Sequence, residues 1–401
     1  MIALCTLFMS CGGGGSSEKP GPIQPPENIA VSSVVLSSTT ANITVGGSLQ
    51  LSATINPSNA TNTTVFWTSS NSAVATVTNS GMVNGVAVGT TVVTATCGGK
   101  SATCTFTVSS PYVEFDDAAF EAFCVKNYDL NSDKKISLSE AISVRIMSAN
   151  SQKIKSMKGI EHFTSLTELS CQNNELTSLD LSGCTSLTNL DCSINKLSKL
   201  DLSKCTALVI LKCNENNITS LDLTKCPKVT TVKCNFNSLI EIKLDGCNTI
   251  MHFDASDNKL TKLVIPKNPA LQDVDCHNNS IEALNLSDNV YLQKITASNN
   301  KLKTVDIRNC PYLSQVDVSN NLLSTMSFEG CSFLSTLYCY NNTITELDLS
   351  PTVIHNLMAW PMPSLKTIKK KSGTYVVYYE YIEGSFGPVD PASLGITIVE
   401  V

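Results

Sequence analysis

The chain is short of charge and of aromatic rings. Of its 401 residues, 15% are Asp, Glu, Lys or Arg and only 6% are Phe, Trp or Tyr. The net charge is −6 and no basic tract occurs, which argues against nucleic acid as a partner. So few rings fit a core built from leucine and small side chains. No nucleophile elbow, zinc motif or phosphate loop is present, so no common catalytic machinery can be placed. The apolar opening stretch, MIALCTLFMSC at residues 1–11, is far shorter than the roughly 20 residues that a membrane-spanning helix needs. The length allows two or three domains.

What is abundant is a repeat. Nine consecutive stretches of 21 residues run from Leu166 to about Ser350. Their first position reads Leu166, Leu187, Leu208, Val229, Ile250, Leu271, Leu292, Leu313 and Leu334. Eight residues after each comes an asparagine: Asn174, Asn195, Asn216, Asn237, Asn258, Asn279, Asn300, Asn321 and Asn342. A fixed period of this length means a solenoid. Within the pattern LxxLxCxxNxLxxLxLxxC, the fourth and sixth positions are apolar with polar neighbours, so they point inward from a short strand. The asparagine follows where the chain must turn. Its amide is expected to bond backbone groups that the bend leaves unpaired, from coil to coil. One coil cannot bury its own apolar side, but stacked coils cover one another.

The 17 cysteines are best judged by position. Cys171, Cys192, Cys213, Cys234, Cys276 and Cys339 share one column, filled elsewhere by Ala255, Ala297 and Val318. Cys184, Cys205, Cys226, Cys247, Cys310 and Cys331 form a second. We expect both columns to be small apolar core sites holding buried thiols. Side chains in register point the same way, which suits a disulfide poorly. No column mixes His, Cys and carboxylate as a metal would require.

The repeat residues LxxLxCxxNxL resemble the leucine-rich repeat family, and the short coil resembles the internalin type. The resemblance implies a curved solenoid with a parallel β-sheet on the concave face, which binds partners and does not catalyse. The second element, written LDLS, departs from the internalin pattern. Upstream, residues 31–110 alternate with a period of two and are cut by turns at Gly46-Gly47, Asn56-Pro57-Ser58, Asn79-Ser80-Gly81 and Gly98-Gly99. That pattern predicts a β-sandwich with Trp67 in its core. Val45-Gly46-Gly47, Trp67, Val74-Ala75-Thr76-Val77, Gly81-Met82-Val83-Asn84-Gly85 and Val93-Thr94-Ala95 resemble the bacterial Ig-like group 2 family. Members of that family serve mostly as spacers on surface proteins. Cys97 and Cys104 flank the last hairpin turn, as a cross-strand disulfide or as two free thiols. The Ser10-Cys11 junction after the apolar run resembles a bacterial lipoprotein signal, with Cys11 the lipidated residue. No Lys or Arg precedes it, so the true start is expected to lie upstream. The Gly- and Pro-rich stretch at 12–30 is a linker.

Residues 111–165 read as a cap and an irregular first coil. Asp116 or Asp117 caps a helix carrying Phe120, Phe123 and Cys124. Asp129 to Glu140, DLNSDKKISLSE, resembles a calcium-binding EF-hand loop. Asp129, Asn131, Asp133, Lys135, Ser137 and Glu140 stand at the ligand positions. Lys134 occupies the place usually held by Gly. Ser137 and Glu140 also form a capping box for the next helix, so the loop reads either as a calcium site or as a metal-free cap. Residues 351–401 read as a C-terminal cap. Within it, Ile354, Leu357, Ala359, Leu365 and Ile368 suggest a degenerate coil, Lys369-Lys370-Lys371 a solvated turn, and 375–382 and 396–401 closing strands.

On the concave face, His252, Asp254, Asp273, Asp275 and His277 form an acidic, histidine-containing patch over two coils. Tyr338 and Tyr340 put two rings near the C-terminal end, either for a ligand or for packing against the cap. The sequence therefore predicts a mainly β, multidomain chain: an Ig-like β-sandwich followed by a capped leucine-rich-repeat solenoid. The expected role is a lipid-anchored, non-enzymatic binding protein or adhesin of the bacterial cell envelope. Its expected partner is a protein. A glycan-capturing protein and a structural stalk are the alternatives.

Overall fold

The computed structural model describes residues 27–373, 376–382 and 385–401. They form two compact units that divide between Ser110 and Pro111. Cys11 and its lipoprotein-like stretch lie outside the described residues.

The first unit is an Ig-like β-sandwich. One sheet orders strands Thr40–Thr44, Lys100–Ser109, Gly89–Cys97 and Phe66–Ser69; a second orders Ser48–Gln50, Met82–Gly85 and Ala75–Val77. A short antiparallel pair, Ser33–Leu36 with Ala53–Asn56, completes it. Alternate residues of the long hairpin, Val93, Ala95, Cys97, Cys104, Phe106 and Val108, are buried, as a sheet with one wet face requires. Trp67 packs half-buried where the two apolar clusters meet. Gly81 is needed there: a Cβ on it would lie 2.8 Å from the Trp67 ring, at φ +86°. Cys97 and Cys104 are free buried thiols. The hairpin register sets Cys104 opposite Val93, four residues along the strand from Cys97. That is about 13 Å of strand, beyond the reach of a disulfide.

The second unit is the solenoid. Its long sheet has 13 strands, beginning with Ile146–Ser148 and Glu168–Ser170, and adding one strand from each following coil. Every neighbouring pair is parallel except the last, Val377–Ile382 with Ser385–Val389. Each repeat strand has three residues with the middle one buried, such as Leu190, Leu211, Val232, Phe253 and Val274. Most coils add a short second strand from the LDLS element on the opposite side. These strands form separate small sheets at 220–243, 283–306 and 346–400. The described helices are few: α1 (Ala118–Tyr128), α2 (Leu138–Ser143) and two short 3-10 turns.

The asparagine column works from coil to coil as its position predicts. Asn216 Oδ1 accepts from the Leu197 N–H of the preceding coil at 2.9 Å. Its Nδ2 donates to Cys192 O, again one coil back, at 3.0 Å, and to Cys213 O of its own coil at 3.2 Å. Asn195, Asn237, Asn258, Asn279, Asn300, Asn321 and Asn342 repeat the pattern. The bend demands a left-handed residue just before each asparagine, with φ from 52° to 56° at Asn173, Ile194, Glu215, Phe236, Asp257, Asn278, Asn299, Asn320 and Asn341. Asn and Asp tolerate that conformation best, so Ile194 and Phe236 are costly occupants.

The two cysteine columns differ, and the reading of a small apolar site holds for the first and is corrected for the second. The first column is fully enclosed, with Cys234 Sγ alone among its described thiols reaching a carbonyl, Asp254 O at 3.3 Å, and burial pushes the Cys171 and Cys213 thiols up to about 12, helped by the charge of Asp191. In the second column the thiols point at carbonyls one coil back: Cys247 Sγ to Leu223 O at 3.2 Å, Cys310 to Leu286 O at 3.3 Å and Cys331 to Ile307 O at 3.1 Å. Asn268 and Asn289, both buried, fill the same column, and Asn268 Nδ2 donates to Ile250 O. This column therefore selects a donor as well as a small volume.

The ends are capped. Asp117 caps α1, its carboxylate accepting from Ala119 and Phe120 N–H at 2.9 and 3.0 Å. Its other oxygen accepts from Lys155 N–H at 2.8 Å, which fastens the helix to the first irregular coil. At the far end, Val377–Ile382 extends the long sheet and Thr397–Glu400 pairs with Thr367–Lys370. The three lysines are not a turn, since Lys369 and Lys370 lie on that strand. Lys369 Nζ meets Glu346 at 2.6 Å and Lys370 pairs with Glu400.

Candidate binding surface

The alternation that buries the middle residue of each strand turns its two neighbours to solvent on the long sheet. Parallel register then stacks equivalent residues into columns. His252 stands beside Asp273, and Asp254 beside Asp275. The structure brings all five members of the predicted acidic patch together. His252 Nδ1 lies 2.7 Å from Asp273 Oδ2, and His277 Nδ1 lies 2.6 Å from Asp275 Oδ1. His277 Nε2 also reaches Asp257 Oδ2 at 3.3 Å. Asp254 Oδ1 accepts from Ser256 Oγ at 2.7 Å.

Electrostatics follow from that geometry. Burial would depress His277, but the bond to Asp275 and the charges of Asp275, Asp257 and Asp254 outweigh it and raise its pKa. Asp275 is also raised: its burial, with Asp254 alongside, exceeds the effect of the His277 bonds. The patch borders a shallow depression of about 260 Å³, lined by Lys233, His252, Asp254, Asp273, Asp275 and Lys294 among others. No group of three or more His, Cys, Asp or Glu among the described residues is arranged to hold a metal ion.

Tyr338 and Tyr340 do not join this patch. They lie three strands farther along the sheet, about 14 Å away. Three features of the surface escaped the sequence reading. Asp257 sits on the turn column and faces His277. Met358 of the degenerate coil stands beside Tyr338, in register with it. Along the rim that precedes the strands, Tyr291, Tyr312 and Phe333 form an exposed stack with ring centroids 5.9 Å apart. The residue just before each first-position leucine would have revealed that stack.

The EF-hand-like loop satisfies its own carboxylates. Asp129 accepts from Ser132 and Lys134 N–H at 2.7 and 2.9 Å, and Asp133 from Lys135 N–H at 2.9 Å. Glu140, buried, accepts from Leu130 N–H at 2.9 Å and from Ser137 N–H and Oγ–H at 2.8 Å each. The Ser137–Glu140 capping box is complete. Lys134 adopts φ +65°, where such a loop normally has Gly. As folded, Asp129, Asn131, Asp133, Lys135, Ser137 and Glu140 form a cap that points its acceptors at the chain. The set does not fit a calcium ion in this arrangement.

Comparison with known proteins agrees with this architecture. Residues 30–106 match the bacterial Ig-like domain (group 2) model, and residues 164–204 match leucine-rich repeats in two copies. An Ig-like virion protein of Serratia phage KSP90 is 45% identical over 84 residues, which are 20% of this chain and 33% of that protein. This chain thus spans about a third of the length of that relative. Among solved structures, the functional domain of InlJ from Listeria monocytogenes, described as including a cysteine ladder, is 27% identical. The match covers 66% of this chain and 68% of that one, with a TM-score of 0.52. Internalin F of Listeria monocytogenes is 20% identical over 72% of this chain and 96% of its own, at a TM-score of 0.37. Leucine-rich-repeat and Ig-like families are typically non-enzymatic binding modules, and neither matched family is a catalytic one. The chain carries a bacterial Ig-like (group 2) domain followed by a leucine-rich-repeat solenoid with an internalin-like structural neighbour.

Proposed function

We propose that this is a surface-anchored binding protein, an adhesin, that recognises a protein partner through the solvent face of the long sheet. The observation that carries the reading is the contrast between columns in one sheet. Buried positions repeat the same few residue types from coil to coil, whereas the face positions change identity at nearly every coil. They concentrate charge at His252, Asp254, Asp273, Asp275 and His277. An open face with a shallow depression suits a macromolecular partner better than a small substrate. The Ig-like unit serves as a spacer. Cys11 carries a lipid that holds the chain at the bacterial envelope. Replacing Cys11 with Ala should abolish incorporation of labelled palmitate, and undiminished incorporation would remove the anchor from this reading.

The functional test is a binding screen of the soluble chain against extracellular proteins of a host and of the same envelope. An Asp254→Ala/Asp273→Ala/Asp275→Ala variant runs alongside. A partner bound at least tenfold more weakly by the variant supports recognition by this face. A partner bound equally by both places recognition elsewhere.

A further inference from the structure

We infer that His277 is a pH-operated latch on the recognition face: as an imidazolium it holds Asp275 and Asp257 together, and its deprotonation releases those carboxylates to a protein partner. This rests on the reading that the solvent face of the long sheet is the recognition surface, and it adds the condition under which the partner gains access to it.

His277 meets two carboxylates at once. Its Nδ1 lies 2.6 Å from Asp275 Oδ1, two residues earlier, and its Nε2 lies 3.3 Å from Asp257 Oδ2 on the turn of the preceding coil. A neutral imidazole has one N–H and one lone pair. With a carboxylate oxygen before each nitrogen, the neutral ring would turn its lone pair on one of them. The imidazolium presents N–H to both. The contact therefore favours the cation on geometry alone, and in that form it ties one coil to the next. Asp257 is held in place for it: Asp257 Oδ1 accepts from Asn278 Nδ2 at 2.7 Å, and Asp257 N–H donates to His277 O at 2.9 Å. The second histidine of the patch is arranged differently. His252 meets the carboxylate of Asp273, and their side chains are 48% and 45% exposed. His277, Asp275 and Asp257 are 29%, 35% and 21% exposed. Solvent screens the first pair more, so His277 is the one whose charge governs the face.

The charges that face the ring come from neighbouring coils as well as its own. The preceding coil supplies Asp254 and Asp257, and its own coil supplies Asp275. The following coil places Thr296 and Ser298, both uncharged, in the same columns. Lys233 stands beside Asp254, and Lys294 beside Asp273, one column away. Burial lowers the His277 pKa, but the Asp275 bond and the three carboxylate charges outweigh it and raise the value. An ordinary histidine titrates near 6.5, so a raised one changes charge across the neutral range. The latch is then complete below about 6.5 and is lost as the pH rises through the folded value. Asp275 is the residue shared by the latch and by the recognition face. A partner that bonds to its carboxylate competes with the imidazolium, and deprotonation of His277 removes both the competitor and one positive charge.

The test follows each of the four histidines separately by NMR of the full chain carrying isotope-labelled histidine. The proposal expects the His277 midpoint above about 6.5, and lowered by about 0.5 or more in Asp257→Asn. The backbone amide of Asn278 should move with the same midpoint. Affinity is then measured for a partner that the Asp254→Ala/Asp273→Ala/Asp275→Ala variant binds more weakly. It should rise at least about threefold from about pH 5.5 to about pH 8.5. His277→Gln should flatten that rise, and His252→Gln should keep it. A His277 midpoint that Asp257→Asn leaves unchanged overturns the latch. So does an affinity that is flat or falls with rising pH, or a rise that survives His277→Gln. In each of those cases the weakness of the triple aspartate variant still upholds the recognition face. Equal binding by the unaltered chain and the triple variant removes that face instead, and the two NMR midpoints then decide the latch by themselves.

Discussion

The interior and the solvent face of the solenoid obey opposite rules within the same three-residue strands. Inside, each coil repeats its neighbour: leucine, a small residue, asparagine. Outside, the columns run from polar through charged to aromatic between Ser170 and Tyr340. The interior is constrained because every coil must cover the next. The face carries no such obligation once its backbone bonds are made. Where side chains repeat they hold the fold, and where they vary they are free to serve recognition.

That comparison can be broken most severely at the asparagine column. Asn216→Ala removes one acceptor and two donors to buried backbone and leaves them unpaired inside. We expect a loss of at least about 3 kcal/mol in denaturant unfolding. The exposed neighbour Asn217→Ala should change stability by less than about 0.5 kcal/mol. Equal effects would mean that the column is not what locks the coils.

The two cysteine columns sharpen it further. Cys213→Ser places a hydroxyl in the enclosed column and should cost about 1–3 kcal/mol. Cys247→Ser has the Leu223 carbonyl waiting at 3.2 Å and should cost clearly less. If Cys213→Ser proved the milder change, the distinction between the columns would fail. Both thiols should resist a disulfide reagent until the chain unfolds, since burial keeps them protonated.

The cap offers a pH-dependent contrast. The hydrogen bond from Ser137 N–H leads the interactions that hold the Glu140 carboxyl below its ordinary value. A lowered folded pKa stabilises the charged form, so this contribution is complete above the unfolded value, about 4.3. It disappears as the pH falls through the folded value. Glu140→Gln should cost about 1–2 kcal/mol at pH 7 and nearly nothing in strong acid. Because the loop's acceptors are already engaged, a calcium chelator should leave the melting temperature of the chain unchanged. A rise of several degrees on adding calcium would show that Asp129, Asp133 and Glu140 rearrange around the ion.

The smallest effect expected is a gain. Ile194 holds φ +55° where five later coils use Asn or Asp. Ile194→Asn should stabilise by up to about 1 kcal/mol, read as a higher denaturation midpoint. A loss would mean that the Ile194 side chain contributes packing worth more than its backbone strain.

Much of this was legible from spacing. The period placed the strands, the asparagine column and the coil-to-coil direction of its bonds, because a regular stack leaves those groups no other partner. The Ig-like strands followed from alternation and turn residues. What escaped was whatever broke the period. The pairing of Tyr338 with Met358 shortens the step to 20 residues, so Met358 fell off the column that would have marked it. Asp257 was hidden because it lies on the turn column. Lys369 and Lys370 read as a turn by charge, whereas partners on Glu346 and Glu400 let them edge a strand. The second cysteine column looked apolar until Asn268 and Asn289 showed that it rewards a donor.

The central claim is that the solvent face of the long sheet is the recognition surface. It is tested most directly by measuring the affinity of one identified protein partner for two variants of the full chain. One variant carries Asp254→Ala, Asp273→Ala and Asp275→Ala on that face. The other carries Lys243→Ala and Glu282→Ala on the opposite side of the coils. The account predicts a loss of tenfold or more in the first variant and no change in the second. The reverse result, or equal losses in both, would contradict it.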